Sequence, residues 1–225
     1  MKVVAVIPAY NEQGRIGAAV RDAAMFCSNV VVVDDYSADN GGEEAREAGA
    51  HVLRHIINRG QGASLQTGTD YAVAHLEADV VVHFDADGQM QGKDIPEMVK
   101  PIIEGEADIV LGSRFLGVKA NIPITRWVVL KLGLLFTMAV SGIRVTDTHN
   151  GFRALSRHAA TSMRITLDRM AHASEVLDLI KMRNLRHVER PVDIRYSEET
   201  LAKGQSSLGA ITIVKDILKG KFFDI

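Results

Sequence analysis

The chain has 225 residues, 47 % apolar and 24 % charged, with a formal charge of −2. That is room for one sizeable domain, and the near-neutral balance excludes a global field that would gather nucleic acid or an anionic membrane. A single cysteine, Cys27, excludes an internal disulfide; in an apolar helical stretch it reads as a small buried hydrophobe in a reducing compartment. In chain order, short β-branched runs alternate with helical stretches. Val3–Ile7 is read as a strand, Gly14–Phe26 as a helix, Val30–Val33 as a strand and Gly42–Ala48 as a helix. His51–Leu53, Val80–Phe84 and Ile109–Leu111 follow as strands, separated by helices over Gly62–Leu76 and Asp94–Glu104. Near-continuous Val/Ile runs predict strands buried on both faces. Their alternation with helices predicts an α/β, Rossmann-like, doubly wound and mostly parallel sheet with helices on both faces.

The second half is less regular. A helix over Trp127–Ile143 leads to the turn-rich segment Asp147–Arg153, a helix around Glu175–Arg183 and a strand at His187–Tyr196. Lys203–Ser207 forms a loop before a final helix. There Leu208, Ile211, Val214, Leu218 and Phe222 make one apolar stripe flanked by Lys215, Lys219 and Lys221. A basic amphipathic helix of this kind can lie in a membrane interface, dock on its own domain or pair with a second copy to give a homodimer. With no internal repeat or linker, one domain over residues 1–225 is expected, in a regular half, 1–115, and a less regular half, 116–225. Met1-Lys2 runs at once into a short apolar stretch without a cleavage site, and Trp127–Ile143 is interrupted by Lys131 and Gly133. It falls short of the roughly 20 apolar residues of a bilayer span. The expectation is a cytoplasmic protein that touches the inner face of a membrane without crossing it.

Ligands of doubly wound sheets bind beyond the carboxyl ends of the strands, and the polar residues gather there. Pro8-Ala9-Tyr10-Asn11-Glu12 follows the first strand, Asp34-Asp35 the second, and Asn58-Arg59-Gly60-Gln61-Gly62 the third. Asp85-Ala86-Asp87-Gly88-Gln89 follows the fourth and Gly112-Ser113-Arg114 the fifth. Alternation along an extended chain puts Asp85 and Asp87 on one side, with Ala86 pointing into a space that wants little bulk. Gly88 turns the chain and Gln89 adds a neutral oxygen. Such oxygens suit Mg²⁺ or Mn²⁺, which keeps waters and completes its shell with substrate phosphates. Five polar or glycine-rich loops on one rim point to a nucleotide site. Gly60-Gln61-Gly62 is neither a dinucleotide fingerprint nor a Walker A loop.

Ile7-Pro8-Ala9-Tyr10-Asn11-Glu12, Val33-Asp34-Asp35-Tyr36-Ser37, Asp85-Ala86-Asp87-Gly88-Gln89, Gly112-Ser113-Arg114 and Gly151-Phe152-Arg153, in that order, make the chain resemble family 2 glycosyltransferases of the GT-A fold. The resemblance is greatest to the dolichyl- and polyprenyl-phosphate mannosyl- and glucosyltransferase branch. It implies inverting transfer of a hexose from a UDP-, GDP- or dTDP-sugar, with Mg²⁺ or Mn²⁺, to a polyprenyl phosphate or a growing glycan. By the same resemblance Pro8, Tyr10, Glu12 and Asp35 take the base and ribose, and Ala86 belongs to the donor-contacting set. Asp85, Asp87 and Gln89 hold the metal, and Arg114 and Lys203 meet phosphates, with Arg126 and Arg153 as further candidates. The alternative for Asp35 is a turn or cap aspartate, with the functional reading favoured, and Asp39 is read as a cap. A general base would fall at Glu175, where this chain has Ser174-Glu175 in place of the usual Glu-Asp pair, or at Asp147 or His149. A lipid phosphate, already ionised, needs no base. Two other readings compete: a sugar-1-phosphate nucleotidyltransferase, whose usual glycine-rich first loop is missing here, and a non-catalytic scaffold that binds a nucleotide sugar.

Overall fold

Pairing along the chain starts with Val3–Ala9 (β1), whose residues 4–9 run parallel to Asn29–Asp34 (β2), which in turn takes His51–Arg54 (β3) in parallel on its other side. β1 also pairs in parallel with Val80–His83 (β4), and Ile109–Ser113 (β5) pairs in parallel with His187–Pro191 (β7). Arg153–Ser156 (β6) lies between β4 and β5, antiparallel to both, which makes a seven-stranded sheet ordered β3-β2-β1-β4-β6-β5-β7. This computed structural model describes residues 1–116, 143, 145–148, 150–167 and 172–195. The predicted helix over 127–143 (all but Ile143), Arg126, His149, Lys203, Tyr196 and the final helix lie outside the described residues.

Both faces of the central strands are buried. Ala5, Ile7, Val30 and Val32 face one core, with Ile16–Ala24 (α1), Gly41–Glu47 (α2) and Ile95–Ile103 (α4) packed there. Val4, Val6, Val31 and Val33 face the other, covered by Gln61–His75 (α3), Arg157–Ser162 (α5) and His172–Met182 (α6). Unbroken valine runs are thus what a sheet covered on both sides requires. Cys27 packs against the first core, where burial pushes its thiol up to about 12, as expected of an inert side chain.

β6 and α5 depart from the sequence expectation, which left this region without an element beyond the turn of residues 147–153. β6 is four residues long and opens on a buried arginine, so it carries no apolar run to announce it. Its position comes from pairing with strands some 40 and 70 residues away in sequence. Because β6 is antiparallel, its amino end lies on the rim where β1, β2, β4 and β5 end. Among the described residues no helix is long and apolar enough to cross a membrane.

Candidate active site

Four of the five polar loops wall one cavity of about 500 Å³, lined by residues of the β1, β2, β3 and β4 ends, including Pro8, Tyr10, Glu12, Asp35, Asn58 and Gln61. Asp85, Ala86 and Asp87 close its remaining side. The turn after Asp87 forms as the residues dictate: Asp87 Oδ1 accepts the Gln89 N–H at 3.0 Å, and Gly88 has φ +75°. Asp85 is half-buried, and Gln61 Nε2 donates to its Oδ1 at 3.0 Å. Burial, reinforced by the charges of Asp87 and Glu12, pushes the Asp85 carboxyl up to about 7, against the pull of Arg153. Glu12 Oε2 pairs with Arg15 at 2.5 Å.

Asp35 does not cap its own turn. Oδ1 accepts the Arg59 N–H at 2.9 Å and Oδ2 accepts the Gly60 N–H at 2.5 Å, so the carboxylate clips the loop ahead of α3 to the end of β2. His55 Nδ1 reaches Oδ1 at 2.7 Å. Asp34 and Asp39 are the local turn formers: Asp34 Oδ1 takes the Ser37 N–H, and Asp39 takes the N–H groups of Gly41 and Gln13. The N-cap of α2 is Asn40, without a side-chain cap bond, so Asp39 is a turn former one residue ahead of the cap rather than the cap itself.

Beyond β5 the arrangement differs. Arg114 donates Nε and Nη2 to Asp147 Oδ2 and Oδ1 at 2.7 and 2.8 Å, a bidentate pair with side-chain exposures of 13 % and 2 %. The fifth loop is thus tied to residue 147 and is not part of the cavity wall. Thr146 is anchored beside them, its N–H donating to Glu189 and its hydroxyl 2.6 Å from that of Ser113. Arg153, 3 % exposed, feels the charges of both Asp85 and Asp147, and burial lowers its guanidinium to about 10. Its Nη1 has no hydrogen-bond partner among the described residues. Gly151 brings this segment against the acids: a Cβ there would sit 2.9 Å from Asp85 Oδ2. Glu175 lies away from the cavity wall, at the start of α6, where Oε1 accepts from the N–H and hydroxyl of Thr166 and Oε2 from the N–H of Leu167.

Residues without a sequence-level role complete the site. Asn58, Gly60, Gln61 and Ser64 line the cavity, and Asn58 Nδ2 donates to the Asp35 carbonyl. The position of their loop on the binding rim foretold Asn58, Gly60 and Gln61; Ser64, inside α3, had no such signal. Behind the rim His83, within the apolar β4 run, hydrogen-bonds Thr69 at 3.0 Å and is driven down to about 3 by burial and by the charges of Arg153 and His172.

Residues 4–162, most of the chain and all of this rim, match the family model described as glycosyl transferase family 2. The chain belongs to glycosyl transferase family 2. Among relatives of this transferase, the UDP-N-acetylglucosamine–dolichyl-phosphate N-acetylglucosaminyltransferase of Methanococcus voltae is 32 % identical over 245 residues, with 97 % of each chain covered. The undecaprenyl-phosphate mannosyltransferase of Micrococcus luteus is 32 % identical over 182 residues, covering 75 % of this chain and 71 % of that one. The fold is that of glucosyl-3-phosphoglycerate synthase from Mycobacterium tuberculosis, with a TM-score of 0.74 at 20 % identity over 97 % of the transferase and 79 % of the synthase. A crystal of that synthase holds Mn²⁺, uridine diphosphate and phosphoglyceric acid. The GT-A arrangement expected from the motifs is the one found, and the relatives fit the polyprenyl-phosphate sugar transferase branch.

Proposed function

We propose that this transferase moves a hexose from a nucleotide-diphosphate sugar to a polyprenyl phosphate, with inversion at the anomeric carbon. One observation carries the reading: Asp85 and Asp87 share a cavity wall with Pro8, Tyr10 and Asp35, and Asp85 is held near 7 by burial and like charge. Two acids with too little countercharge fit a hard divalent cation, Mg²⁺ or Mn²⁺, with the Gln89 amide oxygen as a further donor. Among the described residues no third His, Cys, Asp or Glu completes a protein cage. That suits an ion whose remaining ligands are water and the donor's diphosphate. When bound, the ion would offset the charge that grows on the departing diphosphate.

The chain's own residues orient the donor. Tyr10, half-exposed at the mouth, offers a ring face to the base, Pro8 packs beside it, and Asp35 accepts a hydrogen bond from base or ribose. In the transfer, an acceptor phosphate oxygen bonds to C1 as the bond from C1 to the β-phosphate oxygen breaks, its electron pair leaving with the nucleoside diphosphate. No proton has to be removed from an ionised phosphate. Support for such an acceptor comes from the lipid phosphates named in the relatives. Glu175 and Asp147, the acids expected to act as base, are both committed to hydrogen bonds, which supports it further. An acceptor of this kind places the protein at the inner face of a membrane.

The test is a panel of UDP-, GDP- and dTDP-hexoses offered with a short-chain polyprenyl phosphate and Mn²⁺. A lipid-linked hexose of inverted anomeric configuration is expected. Pyrophosphate released from a nucleoside triphosphate and sugar 1-phosphate would instead make the protein a nucleotidyltransferase.

A further inference from the structure

Resting on that reading, we infer that His55, steadied by Thr67, is a positioning residue for donor recognition: it fixes the Asp35 carboxylate so that a single acceptor site is left for the nucleotide. A carboxylate only accepts, so the His55 nitrogen 2.7 Å from Asp35 Oδ1 carries a proton. In the neutral ring Nε2 is then bare, and it lies 3.0 Å from the Thr67 hydroxyl, which donates to it. The His55 N–H donates to the Asp34 carbonyl at 2.9 Å, anchoring the residue to the end of β2. The relay therefore ties together β2, the chain just past β3, and α3. His55 and Asp35 side chains are 12 % and 4 % exposed, so water competes little for these bonds.

Counting acceptor sites gives the consequence. A carboxylate has about four lone-pair sites, two on each oxygen. On Oδ1, His55 Nδ1 and the Arg59 N–H take two; on Oδ2, the Gly60 N–H takes one. One acceptor site remains on Oδ2, on a residue that lines the cavity. A buried acceptor there is matched by an N–H or O–H of the base or ribose and repels a carbonyl oxygen. Without His55 the carboxylate can rotate, and both the Arg59–Gly60 loop and the free lone pair lose their registry. His55 acts through Asp35 and stands outside the cavity wall.

The experiment compares four variants in donor kinetics and in amide exchange of the ligand-free protein. His55→Leu removes the donated proton, and His55→Asn puts an amide N–H where Nδ1–H stands. Thr67→Val removes the hydroxyl and Thr67→Ser keeps it. His55→Leu should raise the donor KM about tenfold, the worth of one hydrogen bond to a charged group, with kcat changed far less. It should also speed exchange at the Arg59 and Gly60 amides. His55→Asn and Thr67→Ser should recover most of the donor affinity, and Thr67→Val should show a smaller rise than His55→Leu. An unchanged donor KM in His55→Leu, or His55→Asn no better than His55→Leu, would overturn the assignment. Absence of transfer and of uridine, guanosine and thymidine diphosphate binding in the unmodified chain would instead sink the glycosyl-transfer reading. The relay would then stand or fall on the two amides: slow exchange retained in His55→Leu refutes it.

Discussion

The carboxyl of Asp85 is where burial and like charge meet, and its behaviour with pH follows. Its folded value, about 7, is raised above the ordinary 3.8. The folded ligand-free protein therefore holds this proton more tightly than the unfolded chain does, and loses stability as pH rises from 3.8 through about 7. A cation competes with the proton for the same oxygens, so the rise in melting temperature on adding Mn²⁺ should be larger at about pH 8 than at about pH 5. Equal rises at the two pH values would contradict cation binding at Asp85. Asp87 is its partner in the wall. Asp87→Ala should lower turnover by roughly 10²-fold or more while keeping the fold, because it relieves a like charge beside Asp85 and its structural loss is confined to the local Gln89 turn bond. Rates of sugar transfer and thermal midpoints, measured side by side, check both halves of that statement.

Among the elements, β6 and the segment ahead of it bind the two halves of the site together. Arg114→Ala removes the bidentate guanidinium bonds and leaves the buried Asp147 with the residue-114 N–H and the charge of Arg153 nearby, so it should cost about 3 kcal/mol, read as a lower urea midpoint. A loss well under 1 kcal/mol would mean that solvent reaches the pair, as at exposed ion pairs. Gly151 lets the chain pass within contact of Asp85, and the Cβ of Gly151→Ala would stand 2.9 Å from Oδ2 and 3.3 Å from the Met90 methyl. Relief requires the carboxylate to move, so this variant should lose transfer and Mn²⁺ response more than it loses thermal stability. None of this was visible in the turn-rich reading of Asp147–Arg153. The motif named the residues, but strand pairing put Arg153 beside His83 and Gly151 over Asp85.

For the whole molecule, a nucleoside diphosphate that seats in the rim cavity binds only the folded chain. At one hundred times its dissociation constant it should stabilise by about 2.7 kcal/mol. A thermal-shift series over uridine, guanosine and thymidine diphosphates with Mn²⁺ reads this directly, and the base giving the largest rise names the donor. The sequence by itself determined the layered α/β sheet, because valine runs alternating with helical stretches are local patterns that a sheet covered on both faces satisfies. It also placed four of the five polar loops around one cavity, since each lies at or shortly after the end of its strand, whereas the fifth is tied to Asp147. Only the tertiary structure decided who partners whom. Asp35 answers to amides 24 and 25 residues on, Arg114 is claimed by Asp147 33 residues away, and Glu175 is spent on Thr166 and Leu167. A side chain's type fixes what it can donate or accept. Which neighbour takes it depends on distances of a few ångströms, and those exist only once the sheet has closed.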